Sequence, residues 1–439
     1  MPMPAAAPVP DRSSLRPQSA TSFPSNVLAL VVGLSVVWVL AQGNAAQQIG
    51  HFLPYTPLVP CLVVFAVIAA VEWLFRMSGG RTLSEISAAP LRPVNFARVG
   101  LRLLGFVATL GLVALCYWLF PEYAGTFYQP YWRFLESLAP GAILVPLYFV
   151  WTDARALEPR DEFVQFGELL CGRRTEVDRG VIRRHLLGWT VKAYFLPLMS
   201  VYLNEEVSYL LNVLRGADLH LLGRYDLWFH LSYAIDLIFC VIGYTATSRL
   251  FDSHLRSVEP TVAGWVVALI CYQPFYSVIG RFYLQYEGKL FWDDWLRPWP
   301  LLSDLWGGTI IVLTLLYGFS TVAFGLRFSN LTHRGIITGG PYRFSKHPAY
   351  ISKNLSWWMI SVPFIVSEDV WVSVRHCVLL LMLNGVYFLR ARTEELHLSR
   401  DPTYLAYALW MNDHGVLRFL NRALPWLRYR APDQAAGSS

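Results

Sequence analysis

The sequence predicts an all-α protein, a polytopic transmembrane bundle of about ten helices with both termini cytoplasmic. Three observations carry that prediction. Of the 439 residues, 55% are hydrophobic and only 15% are charged, whereas a soluble domain carries roughly 25% charge. Apolar stretches long enough for a bilayer span, which needs about 20 residues, recur along the chain. The arginine-rich connections between them alternate, as the positive-inside rule requires.

The first 26 residues, rich in Pro, Ala and Ser, cannot bury enough apolar surface to fold and read as a disordered cytoplasmic tail. A cleaved signal peptide is the rival reading of the first apolar run, but the long polar lead and the many later spans favour an uncleaved helix. The clearest spans run 27–41, 58–75, 103–119, 227–245, 262–279, 305–324 and 370–389. Weaker ones are 138–151, 186–203, which carries Lys192, and 350–366, which begins with Lys353 and Asn354.

Basic residues gather in the tail (Arg12, Arg16) and in the even-numbered connections. These hold Arg76, Arg81, Arg92, Arg98 and Arg102, then Arg155 to Arg184, then Arg249 and Arg256, and finally Arg327, Arg334, Arg343 and Lys346. The net charge of +6 is thereby explained by a membrane surface, and no nucleic-acid partner is expected. The six cysteines form no CxxC pair, which argues against a disulfide framework or a zinc cluster; no metal site is expected. The organisation read from this pattern is a tail over 1–26, an N-terminal bundle of about seven helices over 27–300, a C-terminal domain over 301–430 and a tail over 431–439. Arginine greatly outnumbers lysine, which points to a GC-rich bacterial genome and hence to a multi-pass protein of the inner membrane.

The link Ser367, Glu368, Asp369 between the last two spans is so short that they must form an antiparallel hairpin. Its two cytoplasmic flanks hold the densest polar constellation in the chain. The first reads Gly339, Gly340, Pro341, Tyr342, Arg343, Phe344, Ser345, Lys346, His347, Pro348, Ala349, Tyr350. Paired glycines, Gly-Pro and His-Pro make it a loop, and its amides with Arg343 and His347 suit a carboxylate. The second flank continues the last helix, so Arg390 and Glu394 share a face while Glu395, one residue on, points elsewhere. Asp401 before Pro402 signals a new helix start, which would fold Tyr404 and Tyr407 back over the site.

Anion-binding groups on one wall, carboxylates on the other and aromatic rings between suit a zwitterion that carries a cation. S-adenosylmethionine is one such ligand. The ordered blocks GGPYRFSKHPAY, RARTEELHL and YLAY also resemble the isoprenylcysteine carboxyl methyltransferase superfamily, which includes membrane phospholipid methyltransferases. That family's pattern is G-x-Y-x-x-x-R-H-P-x-Y, then R-x-x-x-E-E after a hairpin, then a tyrosine pair. The likeness covers roughly Leu326 to Tyr407, about a quarter of the chain.

The resemblance implies an S-adenosylmethionine pocket that includes Gly340, Tyr342, His347, Pro348, Tyr350, Glu394 and Glu395, with Arg390 near the methyl acceptor. Arg343 and Tyr407 join the pocket on the physical reading of the flanks, and Arg390 and Glu394 are the expected catalytic pair. The expected acceptor is a lipid or small hydrophobic molecule. Three positions depart from the family pattern: Lys346 replaces Arg and loses its planar fork, while Ser352 and Asp401 replace Gly.

Two other classes compete. A sterol-reductase-like enzyme would have about ten spans and a comparable pocket holding NADPH, and shares the His-Pro block; the Glu394–Glu395 pair and the Gly-Pro-Tyr-Arg run fit it less well. A transporter or sensor is suggested by Lys192 and Asp236 within spans, where a charge costs about 2.5 to 3.5 kcal/mol at the bilayer centre. A mutual or helix-internal pairing of these two residues is the preferred expectation.

Overall fold

The computed structural model describes residues 16–77, 85–173, 175–215, 223–366, 369–419 and 424–431. Arg12, Arg81, Arg174, the link residues Ser367 and Glu368, and most of both terminal tails lie outside the described residues. The chain divides into two compact units, one of residues 1–22, 260–292 and 336–439, the other of residues 23–259 and 293–335.

The larger unit contains α1 (Phe23–Ala41), α2 (Ala45–Gly50), α3 (Leu58–Met77), α4 (Phe96–Leu119), α5 (Gln129–Leu138), α6 (Leu144–Arg155), α7 (Glu162–Leu170), α8 (Arg179–Leu214) and α9 (Tyr225–Thr245). The short α12 (Trp292–Leu296) begins on its boundary and α13 (Pro300–Val322) completes its helices. Helix α9 is its axis, packed by α8, α13 and α3, and residues 234–244 are buried without interruption. A two-residue antiparallel ladder pairs β1 (Ser257–Val258) with β2 (Thr332–His333).

Among the described residues, eight helical segments are long and apolar enough to cross a bilayer: Phe23–Ala41, Leu58–Phe75, Phe96–Leu119, Thr126–Arg155, Arg179–Leu214, Tyr225–Thr245, Pro300–Val322 and Val370–Leu398. Their outward faces are apolar, with Val107, Leu112, Leu115 and Trp118 on α4 and Leu301, Leu305 and Val312 on α13 all exposed. Surface of that kind needs lipid over it.

Two of the ten expected spans are shorter than the sequence suggested. The run 262–279 is divided into α10 (Val262–Leu269) and α11 (Phe275–Phe282), because Pro274 has no amide hydrogen to carry the helix on. The run 350–366 is the 14-residue α14 (Pro348–Ser361), closed by Val362 in the left-handed region. At the amino end, α1 starts inside the stretch expected to be a tail. Just before it, Thr338 donates through its hydroxyl to the Pro17 carbonyl (2.7 Å) and Ala20 N donates to the Ile336 carbonyl (2.9 Å).

Several arginines expected merely to face a cytoplasmic surface are held by acids. Asp153, fully buried, accepts from Arg98 Nε (2.6 Å) and Nη2 (2.9 Å) and from Asn95 N (2.8 Å). Its neighbour Arg102, 1% exposed, pairs with Asp161 (2.8 Å) and lies 3.6 Å from Asp153. Of the two expected arrangements, mutual or helix-internal pairing, Lys192 shows the helix-internal one. Lys192 sits over the ring of Trp189, one turn earlier in α8 (4.7 Å). Asp236 accepts from Tyr317 (2.9 Å) and from Thr321 across the α9–α13 contact.

Removing one member of a buried ion pair costs about 3 to 5 kcal/mol. Asp153→Ala is therefore expected to lower the thermal midpoint of the detergent-solubilised protein steeply, and an unchanged midpoint would show that Arg98 and Arg102 do not depend on it.

Candidate active site

The smaller unit carries the two expected flanks. Helix α15 (Val370–Leu398) has 29 residues and is about 44 Å long at 1.5 Å per residue, more than a hydrocarbon core of about 30 Å requires. Its last turns, with Arg390, Glu394 and Glu395, therefore project beyond a span. Helix α14 lies against α15 and is fixed by a polar ladder. Trp358 Nε1 donates to Asn384 Oδ1 (2.7 Å), Asn384 Nδ2 to Asn354 Oδ1 (2.5 Å), and Asn354 Nδ2 to the Tyr350 carbonyl (2.7 Å).

The loop before α14 is bent by Gly340 at φ +57, a conformation that costs a side-chain-bearing residue energy. Gly340–Arg343 then form one tight helical turn and Pro348 opens α14. Asp401 caps α16 (Pro402–His414) by accepting from Thr403 N (2.7 Å), as its place before a proline suggests. Helix α16 folds back, and Tyr407 donates to the carbonyls of Tyr342 (2.6 Å) and Ser345 (3.3 Å). Tyr407 is thus a brace for the loop.

Both glutamates meet the first flank, but at different residues, since Glu395 points away from the face that Arg390 and Glu394 share. Glu395, 5% exposed, is held on one oxygen by Lys346 Nζ (2.5 Å) and His347 Nε2 (3.1 Å), and on the other by Arg392 Nη1 (3.0 Å). Glu394 accepts from the Tyr350 hydroxyl through Oε2 (2.8 Å). The rings of His347 and Tyr350 stack, centroids 5.6 Å apart and planes 9° apart. The geometric reason is simple: the loop wraps the helix end, so adjacent positions on α15 both find partners.

Arg390, 8% exposed, lies over three phenol rings: Tyr350 (5.2 Å), Tyr272 (5.4 Å) and Tyr387 (5.9 Å). Tyr350 therefore links Arg390 to Glu394. Arg343 is exposed, and no hydrogen bond or ion pair is found for it among the described residues, so the structure does not bring it to the cluster. Ser352 is fully buried and turned back to the Pro348 carbonyl (2.9 Å), closing the space a glycine would leave.

Four contributors were missed by sequence reasoning. Tyr272 and Tyr387 lie in apolar runs and carry no motif. Tyr429 lies near the carboxyl end, yet it is buried, its ring faces Lys346 Nζ (5.0 Å) and its hydroxyl meets Ser399 Oγ (2.5 Å). Asn412 holds it by bonding both its backbone N (3.0 Å) and O (2.9 Å). Tyr404 was expected only as cover. It is 4% exposed, and its hydroxyl has no hydrogen-bond partner among the described residues.

Burial, and then the carboxylates of Glu395 and Glu394, push the Tyr404 phenol well above its usual range. It stays a proton donor at neutral pH. An orphaned buried donor costs about 1 to 3 kcal/mol, so this hydroxyl marks a place for a ligand acceptor. With Glu394 for an ammonium, His347 and the loop amides for a carboxylate and tyrosine faces for a sulfonium, the residues present fit S-adenosylmethionine.

Comparison with protein-family models, with curated proteins and with solved structures finds no match to this chain.

Replacing Glu395 by Gln removes the charge that Lys346, His347 and Arg392 share. Glu395→Gln is expected to raise the rate of limited proteolysis within 339–350 several-fold, while wild-type cleavage kinetics would contradict the tie between the flanks.

Proposed function

We propose that this protein is an integral membrane S-adenosylmethionine-dependent methyltransferase that acts on a lipid or small hydrophobic acceptor at the cytoplasmic face of a bacterial inner membrane. The observation that carries the proposal is the meeting of two flanks 48 residues apart at Glu395 and His347. The order of motif blocks described above supports the same reading. So does the orphaned Tyr404 hydroxyl beside the two carboxylates.

The roles of the two glutamates divide. Glu395 has both oxygens engaged by cations of the chain and acts as the anchor of the loop. Glu394 keeps Oε1 for the ammonium of the cofactor while Tyr350 steadies Oε2. His347 and the Gly340 amide receive the carboxylate, with Pro348 fixing the loop's exit.

Arg390 is held among phenol rings, where its charge is little screened, and orients an anionic acceptor or a polarised headgroup. Held by Glu394, His347 and the Gly340 amide, S-adenosylmethionine would supply an electrophilic methyl group to the acceptor, its sulfur taking back the bonding pair. Such a displacement asks mainly for alignment, so rigid holders count for more than a strong base.

The proposed topology keeps both termini cytoplasmic. The alternation of basic connections then requires the shorter segments 262–282 and 348–361 to traverse the bilayer as well, which restores ten crossings.

The test is incubation of membranes from expressing cells with methyl-labelled S-adenosylmethionine, followed by solvent extraction. Label is expected in the organic phase, reduced at least tenfold by Arg390→Ala and by Glu394→Gln. Wild-type membranes that transfer no more label than vector controls would remove the proposal.

A further inference from the structure

The residues that resemble a methyltransferase motif all lie between positions 326 and 407, but the box around Arg390 does not. One of its three walls, Tyr272, comes from the turn between α10 and α11, 118 residues earlier in the chain. The turn is reached because α10 packs on α15 and residues 270–274 form turns between α10 and α11. The Tyr272 ring sits 5.4 Å from the guanidinium carbon, and its hydroxyl is 3.4 Å from Nη2.

The neighbourhood of this turn is one apolar cluster. Leu284, Tyr286, Leu380, Leu383 and Tyr387 are buried together, with Cys271, Tyr276 and Trp357 packed against them. The guanidinium thus ends an aromatic and aliphatic wall built jointly by the α10–α11 segment and the hairpin. Cation–π contacts strengthen when desolvated, and three of them together select one rotamer of a long side chain.

We propose that Tyr272 is a positioning residue: it sets the direction of the Arg390 guanidinium, so that recognition of the acceptor's polar group depends on the α10–α11 turn while cofactor binding does not. The acceptor class that follows is a molecule with one anionic or strongly polar group at the end of an apolar body, since the charge lies at the edge of the Leu284–Tyr387 cluster. This inference rests on the methyltransferase reading.

The experiment measures label transfer by the purified full-length protein in nanodiscs, with a total lipid extract of the expressing cells as acceptor and S-adenosylmethionine binding followed separately by calorimetry. Tyr272→Leu leaves an apolar side chain and removes the π face; Tyr272→Phe keeps the face. Tyr272→Leu is expected to raise the half-saturating lipid concentration about tenfold with cofactor affinity within about twofold of wild type, and Tyr272→Phe to restore most of the loss.

Wild-type lipid dependence in Tyr272→Leu overturns the inference and leaves the methyltransferase intact. Equal loss of cofactor binding and lipid use makes Tyr272 a packing residue and overturns it as well. A wild-type protein that binds no cofactor and transfers no label overturns both readings together.

Discussion

The site depends on one buried carboxylate. Glu395 lies inside protein at the end of a span, and an anion there is tolerable only because Lys346, His347 and Arg392 surround it at 2.5 to 3.1 Å. Burying such a group without partners costs several kcal/mol, so the loop must come to the helix for either to be stable. Much else in the smaller unit serves that meeting. Tyr407 pins the loop by its carbonyls, Tyr429 lies over Lys346, and the Asn354–Asn384–Trp358 ladder fixes how far α14 slides along α15.

Helix α15 acts in two environments at once. Its middle offers Leu381 and Met382 to the surroundings as a span does, while its last two turns supply an arginine and two glutamates. The switch from apolar to ionic within one continuous helix holds the charges at a fixed depth. The larger unit follows a different rule: its deep charges are matched locally, Asp153 by arginines, Asp236 by hydroxyls and Lys192 by an indole face.

Much of this was legible in the residues. Apolar length and the alternation of arginines give the helical membrane class, Asp401 before Pro402 gives the start of α16, and the short link after 366 gives the hairpin whose flanks converge. Periodicity failed where backbone chemistry overrode it, at Pro274, which divides a run of apolar residues that otherwise reads as one span. At Glu395 the helical wheel gives the direction of the side chain, away from Arg390 and Glu394, but not the loop that wraps the helix end and supplies Lys346 and His347. Tyr272, Tyr387 and Tyr429 carry no local signal, since their roles come from tertiary contacts with residues distant in sequence. Arg343 shows the converse, a charge in the right motif that folding leaves outside.

As proposed, this site selects a zwitterion with a cationic centre over a dinucleotide phosphate. The decisive measurement is calorimetric titration of the purified protein with S-adenosylmethionine and, separately, with NADPH. Saturable binding of S-adenosylmethionine and none of NADPH is expected; the reverse preference would exclude the methyltransferase reading.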